Sequence, residues 1–179
     1  MDGRRSGLNR TWHLAENAHE IAIAELEYAL LRASEAFQRW QSECLAVVAG
    51  RSLSGQDNTI LHVIRMHERP KGVTEIARLL NRDDIANVQY SVRKLLSAGL
   101  IERSTKGGPK NATYQMTDSG KLATDEYAQL RRNLLISLTR SVAGGDSTFH
   151  ESTRTLELMT GIYDQAARVA ATNRTAGEE

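Results

Sequence analysis

Asn87, Gln89, Tyr90, Arg93 and Lys94 fall within eight residues of one another, and each can bind a feature of duplex DNA. The two carboxamides each present a donor beside an acceptor, a pairing that suits an adenine edge, while Arg93 suits guanine or a phosphate. Tyr90 suits a thymine methyl or a phosphate. Further on come Arg103, Lys106 and Lys110, cations placed to lie beside a backbone or a minor groove and so to contribute affinity more than sequence choice. From Lys71 to Asn111 the cations are Lys71, Arg78, Arg82, Arg93, Lys94, Arg103, Lys106 and Lys110, against Glu75, Asp83, Asp84 and Glu102. That is a local charge of +4 in a chain whose net charge is only +1. Any attraction to a polyanion must therefore come from where the charges lie.

A helix would gather those side chains on one surface. Ile85, Val88, Val92, Leu95 and Leu96 recur at helical spacing between about Asp83 and Ala98, which leaves Ala86, Asn87, Gln89, Tyr90, Arg93 and Lys94 on the opposite face. Gly99 stands where a helix C-cap glycine belongs. Leu100–Arg103 then reads as a strand, Lys106–Asn111 as a glycine-proline turn, and Ala112–Met116 as the returning strand. Upstream, Thr74 reads as the N-cap of a short helix carrying Ile76, Ala77, Leu79 and Leu80, closed by Asn81-Arg82-Asp83. Helix, turn, helix, strand, turn, strand within about 43 residues is the order and length of a winged helix-turn-helix DNA reader.

The flanking sequence supports that unit. Ser54 reads as the cap of a helix that buries Ile60, Leu61, Val63, Ile64 and Met66 and stops at Arg69-Pro70-Lys71-Gly72. Thr11–Ala49 holds neither glycine nor proline and reads as one long helix ended by Gly50, with Ser34 the place for an interruption. Ile23, Leu26, Leu30, Ala33, Phe37, Trp40, Cys44 and Val47 form its apolar seam, and its charge of −4 should turn it away from DNA. After the wing, Thr117, Gly120 and Lys121 open a helix lined by Ala123, Tyr127, Leu130, Leu134, Leu138 and Val142. Gly144-Gly145 breaks it, and a last helix carries Phe149, Leu156, Met159, Tyr163, Ala166 and Ala170. The first and last helices find no partner within so small a unit, which points to an interface between two copies. The reading divides the chain into a flexible arm (1–10), a helical dimerisation region (11–50 and 118–171), a DNA-binding domain (51–117) and a flexible tail (172–179).

This order resembles that of the MarR family of transcription regulators from about Ile21 to Val169. Leu95-Leu96-Ser97-Ala98-Gly99-Leu100-Ile101 is similar to the family's passage from recognition helix into wing, and Thr113–Lys121 to its passage from wing strand into helix. The resemblance implies a mostly α fold with a small β-wing, and a homodimer with intertwined terminal helices. It further implies binding to a palindrome in double-stranded DNA, usually as a repressor, and release by a small, often aromatic, ligand or an oxidant. In the family, the helices bearing Trp40, His62, Met66 and Tyr127 meet around a ligand crevice. Two features depart from the pattern: Ser104–Lys110 lacks the wing's usual aspartate and arginines, and Asn87, Gln89 and Tyr90 stand where small hydroxyl residues and arginine are common.

Other chemistries find little support. One cysteine, Cys44, permits no internal disulfide, and on an apolar seam it reads as an inert thiol ahead of a redox sensor. His62 and His67 are five residues apart and point to different faces, so no metal site is expected. Gly107-Gly108-Pro109-Lys110 leads into a strand and cannot cradle a phosphate at a helix end. Nothing suggests an enzyme or a cofactor. A polar N-terminus and the lack of an apolar run of about 20 residues argue against secretion and membrane insertion and for a cytoplasmic location. The competing reading is a winged-helix scaffold that binds protein.

Overall fold

A computed structural model of the chain describes residues 13–104 and 112–175. The expected arm and the wing tip with Lys106 and Lys110 lie outside the described residues. The chain divides into two compact units, Met1–Ala128 and Gln129–Glu179.

The first unit opens with α1 (Ala18–Ala49), whose N-cap Asn17 accepts hydrogen bonds from the backbone N–H of His19 and Glu20, both at 3.1 Å. The helix passes Ser34 without a break and ends at Gly50. Its seam is only partly covered within the one chain. Gln41, Cys44 and Leu45 are buried at the C-terminal end, whereas Phe37 and Val47 are exposed. α2 (Gly55–Arg65) starts from a reciprocal capping box in which the Asp57 N–H donates to Ser54 Oγ (3.2 Å) and the Ser54 N–H donates to Asp57 Oδ2 (2.8 Å). Ile60, Leu61 and Ile64 point into the core; Met66 lies beyond the helix and is exposed.

Between α2 and the next helix the chain turns tightly at Met66–Glu68, with His67 and Glu68 at φ 62° and 48°. It then forms β1 (Lys71–Gly72), a strand the sequence reading did not anticipate. α3 (Val73–Leu79) starts from Gly72, two residues earlier than a Thr74 cap would place it. α4 (Ile85–Ser97) follows, and β2 (Ile101–Arg103) and β3 (Thr113–Met116) make the wing. The sheet order is β1-β3-β2, antiparallel throughout, with Lys71 opposite Tyr114 and Arg103 opposite the same tyrosine across β3.

Ile60, Leu61, Ile64, Ile76, Val88, Val92 and Leu95 are nearly sealed from water and form one core with Leu45, Leu100, Ile101 and Tyr114. Each such aliphatic side chain contributes about 1.5–3 kcal/mol by leaving water. Gly99, at φ 71°, turns the chain out of α4 into β2, a conformation glycine adopts without the Cβ penalty. The chain then reaches α5 (Asp118–Arg131), where a Cβ on Gly120 would lie 1.9 Å from the carbonyl oxygen of Leu100. Only glycine lets α5 approach the wing base this closely.

The second unit takes up the end of α5 and passes through a π-helical turn at Arg132–Ile136 into α6 (Ser137–Thr139) and α7 (Gly145–Thr175). α7 extends into the stretch read as a tail. Among its described residues none is buried. Leu156, Leu158, Ile162 and Val169 on α7, and Leu134 and Leu138 before it, are exposed.

Candidate nucleic-acid interface

The periodicity of α4 sorts its residues as the sequence predicts. Val88, Ser91, Val92 and Leu95 are buried, while Ala86, Asn87, Gln89, Tyr90 and Arg93 face solvent. Tyr90 is 58% exposed, an outward position for a large aromatic group. The Arg93 guanidinium lies 6.0 Å, and the Lys94 ammonium 5.8 Å, from the centre of its ring. Gln89 lines a shallow groove shared with the start of α3 and with Thr113 and Tyr114 of the wing. Arg103 is exposed on β2.

Lys94 is only partly outward. Its ammonium pairs with Asp57 of α2, whose side chain is 1% exposed against 31% for the lysine. Burial pushes the Asp57 carboxyl up, but hydrogen bonds from Lys94, Ser54 and Ser91 outweigh it and hold the group below the usual carboxylate value. The lysine is therefore a tie between α2 and α4. The first turn of α4 carries a second polar cluster. Arg82 grips Asp84 through two guanidinium nitrogens, Nε at 2.7 Å from Oδ1 and Nη2 on Oδ2. Asn87 Nδ2 donates to the same Oδ2 at 2.9 Å. Arg82 first, then Asn87, draws the Asp84 carboxyl down to about 2.

Lys71 does not belong to a surface footprint. It is fully buried, its ammonium donating to the carbonyl oxygens of Ile64 (3.1 Å), Arg69 (3.2 Å) and Met66. Burial, and secondarily Arg69, lowers its pKa. With Lys71 enclosed and Arg82 and Lys94 engaged internally, the exposed cations among the described residues from 71 to 104 include Arg78, Arg93 and Arg103. A count along the sequence overstates the charge available to a partner.

Two of the four residues expected around a ligand crevice come together. The rings of His62 and Tyr127 are 4.6 Å apart, tilted by 58°. His62 Nε2 and Trp40 Nε1 are buried without hydrogen-bond partners, and burial, then Arg65, lowers the His62 pKa. Met66 is exposed beyond the end of α2. None of the four lines the cavity of about 220 Å³ bounded by Ile64, Arg65, Glu68, Arg69, Pro70, Gln115, Met116 and Lys121. Cys44 is buried, and burial, with Glu43 second, pushes its thiol pKa up. Among the described residues no group of His, Cys, Asp and Glu is placed to hold a metal ion, and no helix is long and apolar enough to cross a membrane.

Residues 53–120 match the family described as a winged helix DNA-binding domain. No curated protein matches the sequence. The structure of the transcriptional regulator BldR from Sulfolobus solfataricus superposes with a TM-score of 0.63 at 17% identity, covering 79% of this chain and 99% of its own. A mutant MarR from E. coli complexed with operator DNA gives 0.61 at 17% identity, over 79% and 99%. The M. tuberculosis regulator MOSR in complex with DNA gives 0.61 at 16% identity, over 78% and 96%.

Proposed function

We propose that this chain, which has the winged-helix fold of the MarR-type transcriptional regulators, is itself a sequence-specific DNA-binding regulator that acts as a homodimer on a palindromic operator, in the manner of a repressor. The observation that carries the reading is the outward face of α4, where Asn87, Gln89, Tyr90 and Arg93 stand exposed on a helix whose other face is sealed into the core. Side chains of these types, presented on the second helix of a helix-turn-helix, suit a major groove. Arg103, with Lys106 and Lys110 at the wing, would add backbone contacts, and Lys94 serves first as the tie to Asp57.

A second copy accounts for the apolar surface of the terminal helices. Leu31, Phe37 and Val47 on α1, and Leu158, Ile162 and Val169 on α7, are exposed. We assign dimerisation to residues 11–50 and 118–171 and DNA binding to 51–117, in a cytoplasmic protein without catalytic residues. Release by a small aromatic ligand draws support from the His62–Tyr127 ring pair and its unpartnered imidazole nitrogen. Thermal-shift screening with aromatic acids tests it; no shift and no loss of DNA binding remove it.

The alternative, a winged-helix scaffold that binds protein, gains weight from the internal engagement of Lys71, Arg82 and Lys94. A mobility shift with the promoter DNA of the chain's own gene, titrated against salt, separates the two. A DNA reader that engages several phosphates weakens steeply, with log K falling by about 0.9 per phosphate per log unit of salt. Absence of a shift, or a shift insensitive to salt, favours the scaffold.

A further inference from the structure

The inference rests on the DNA-binding reading above and adds to it a positioning residue. Asp84 occupies the N-cap position of α4, where a carboxylate ordinarily accepts from the backbone N–H two or three residues on. Its side chain makes no such bond. It is turned instead to Arg82 and to the side chain of Asn87. Arg82 is anchored behind it: with the Gln56 amide oxygen facing the guanidinium, Nη1 and Nη2 donate to it at 2.6 and 3.0 Å. A chain of contacts thus runs from the first turn of α2 to an exposed amide on the recognition helix.

The chemistry of the last link fixes an orientation. An ionised carboxylate can only accept, so Asn87 must present its nitrogen to Asp84. Left alone, a carboxamide flips between two orientations that exchange donor and acceptor. Held this way, Asn87 has its carbonyl oxygen and one N–H left for a partner, an acceptor and a donor, which match N6 and N7 of adenine. The pairing with Arg82 also offsets the charge of Asp84, which would otherwise face a polyanion.

We propose that Asp84 is a positioning residue that touches no base, and that its hydrogen bond to Asn87 sets the orientation in which Asn87 reads one adenine in each half-site. Its removal changes base preference at that position and leaves the other positions alone. A purely structural role would lower affinity for all sequences together.

The test is selection from a randomised duplex library with the full chain, comparing wild type with Asn87→Ala, Asp84→Asn and Asp84→Ser. The asparagine is isosteric but can donate or accept; the serine keeps helix-capping ability but is too short to reach Asn87. Wild type should enrich adenine at one position per half-site. All three variants should lose roughly tenfold in discrimination at that position, the scale of a good bidentate contact, with other preferences retained. Adenine preference that survives in a folded Asp84 variant overturns the proposal, as does an Asn87→Ala profile equal to wild type. If wild type enriches no sequence, the DNA-reading function itself fails, and the inference falls with it.

Discussion

Removal of the Asp57 carboxylate should weaken the fold by an amount that can be worked out from its contacts. The group is 1% exposed, accepts from the Ser54 N–H and Oγ at 2.8 Å each, and pairs with Lys94. Loss of its half of the capping box costs about 1 kcal/mol. Loss of a charge-assisted bond costs about 1.5–3 kcal/mol, taken toward the lower end because Lys94 is about a third open to water. Asp57→Ala should therefore destabilise by about 2.5–3 kcal/mol, or a fall in Tm of roughly 5–12 °C for a chain of this size. The folded pKa lies below the usual 3.8, so the stabilisation is fully present above that value and is lost as pH falls through the lowered one. Urea unfolding at neutral pH and at pH 3 measures both effects: the wild type should lose stability on acidification, and the difference from the variant should shrink. A Tm change below about 2 °C at neutral pH, or a difference that persists unchanged in acid, would refute the reasoning.

Gly120→Ala should cost several kcal/mol, since its Cβ would fall 1.9 Å from the Leu100 carbonyl oxygen, a backbone atom that cannot swing aside as a side chain would; equal unfolding midpoints would contradict that. Lys71→Met removes a buried ammonium from three carbonyl oxygens and should lower stability by about 2 kcal/mol, while the salt dependence of DNA binding stays as in wild type; a shallower slope would put Lys71 back in the footprint. Sedimentation equilibrium should give twice the monomer mass, and Leu158→Glu on α7 should shift it toward monomer; a monomeric wild type would leave the exposed face of α7 unexplained.

Much of the fold is legible because local chemistry dictates it. Gly50 and Gly99 end helices at positive φ, Ser54 announces a helix cap, and the apolar spacing of α4 separates its two faces. Legibility fails where a residue's role is set by a distant partner. β1 is two residues long and carries no alternating pattern; it exists because β3 returns to pair with it. Lys71 reads as a surface cation, yet the turn at Met66–Glu68 offers its ammonium carbonyl oxygens inside the protein. Lys94 reads as a phosphate contact, but the Asp57 that claims it lies 37 residues away. Asp84 and Arg82 look like simple loop charges, yet in the fold Arg82 and Asn87 both converge on the Asp84 carboxylate.

The central claim is that the outward face of α4, with the wing beside it, meets DNA. The most direct measurement compares Arg93→Ala with Glu25→Ala, an exposed acidic position on α1, in a mobility shift on the same operator under fixed salt. Arg93→Ala should weaken binding by about tenfold while Glu25→Ala leaves it within about twofold; equal effects, or a loss confined to Glu25→Ala, would contradict the assignment.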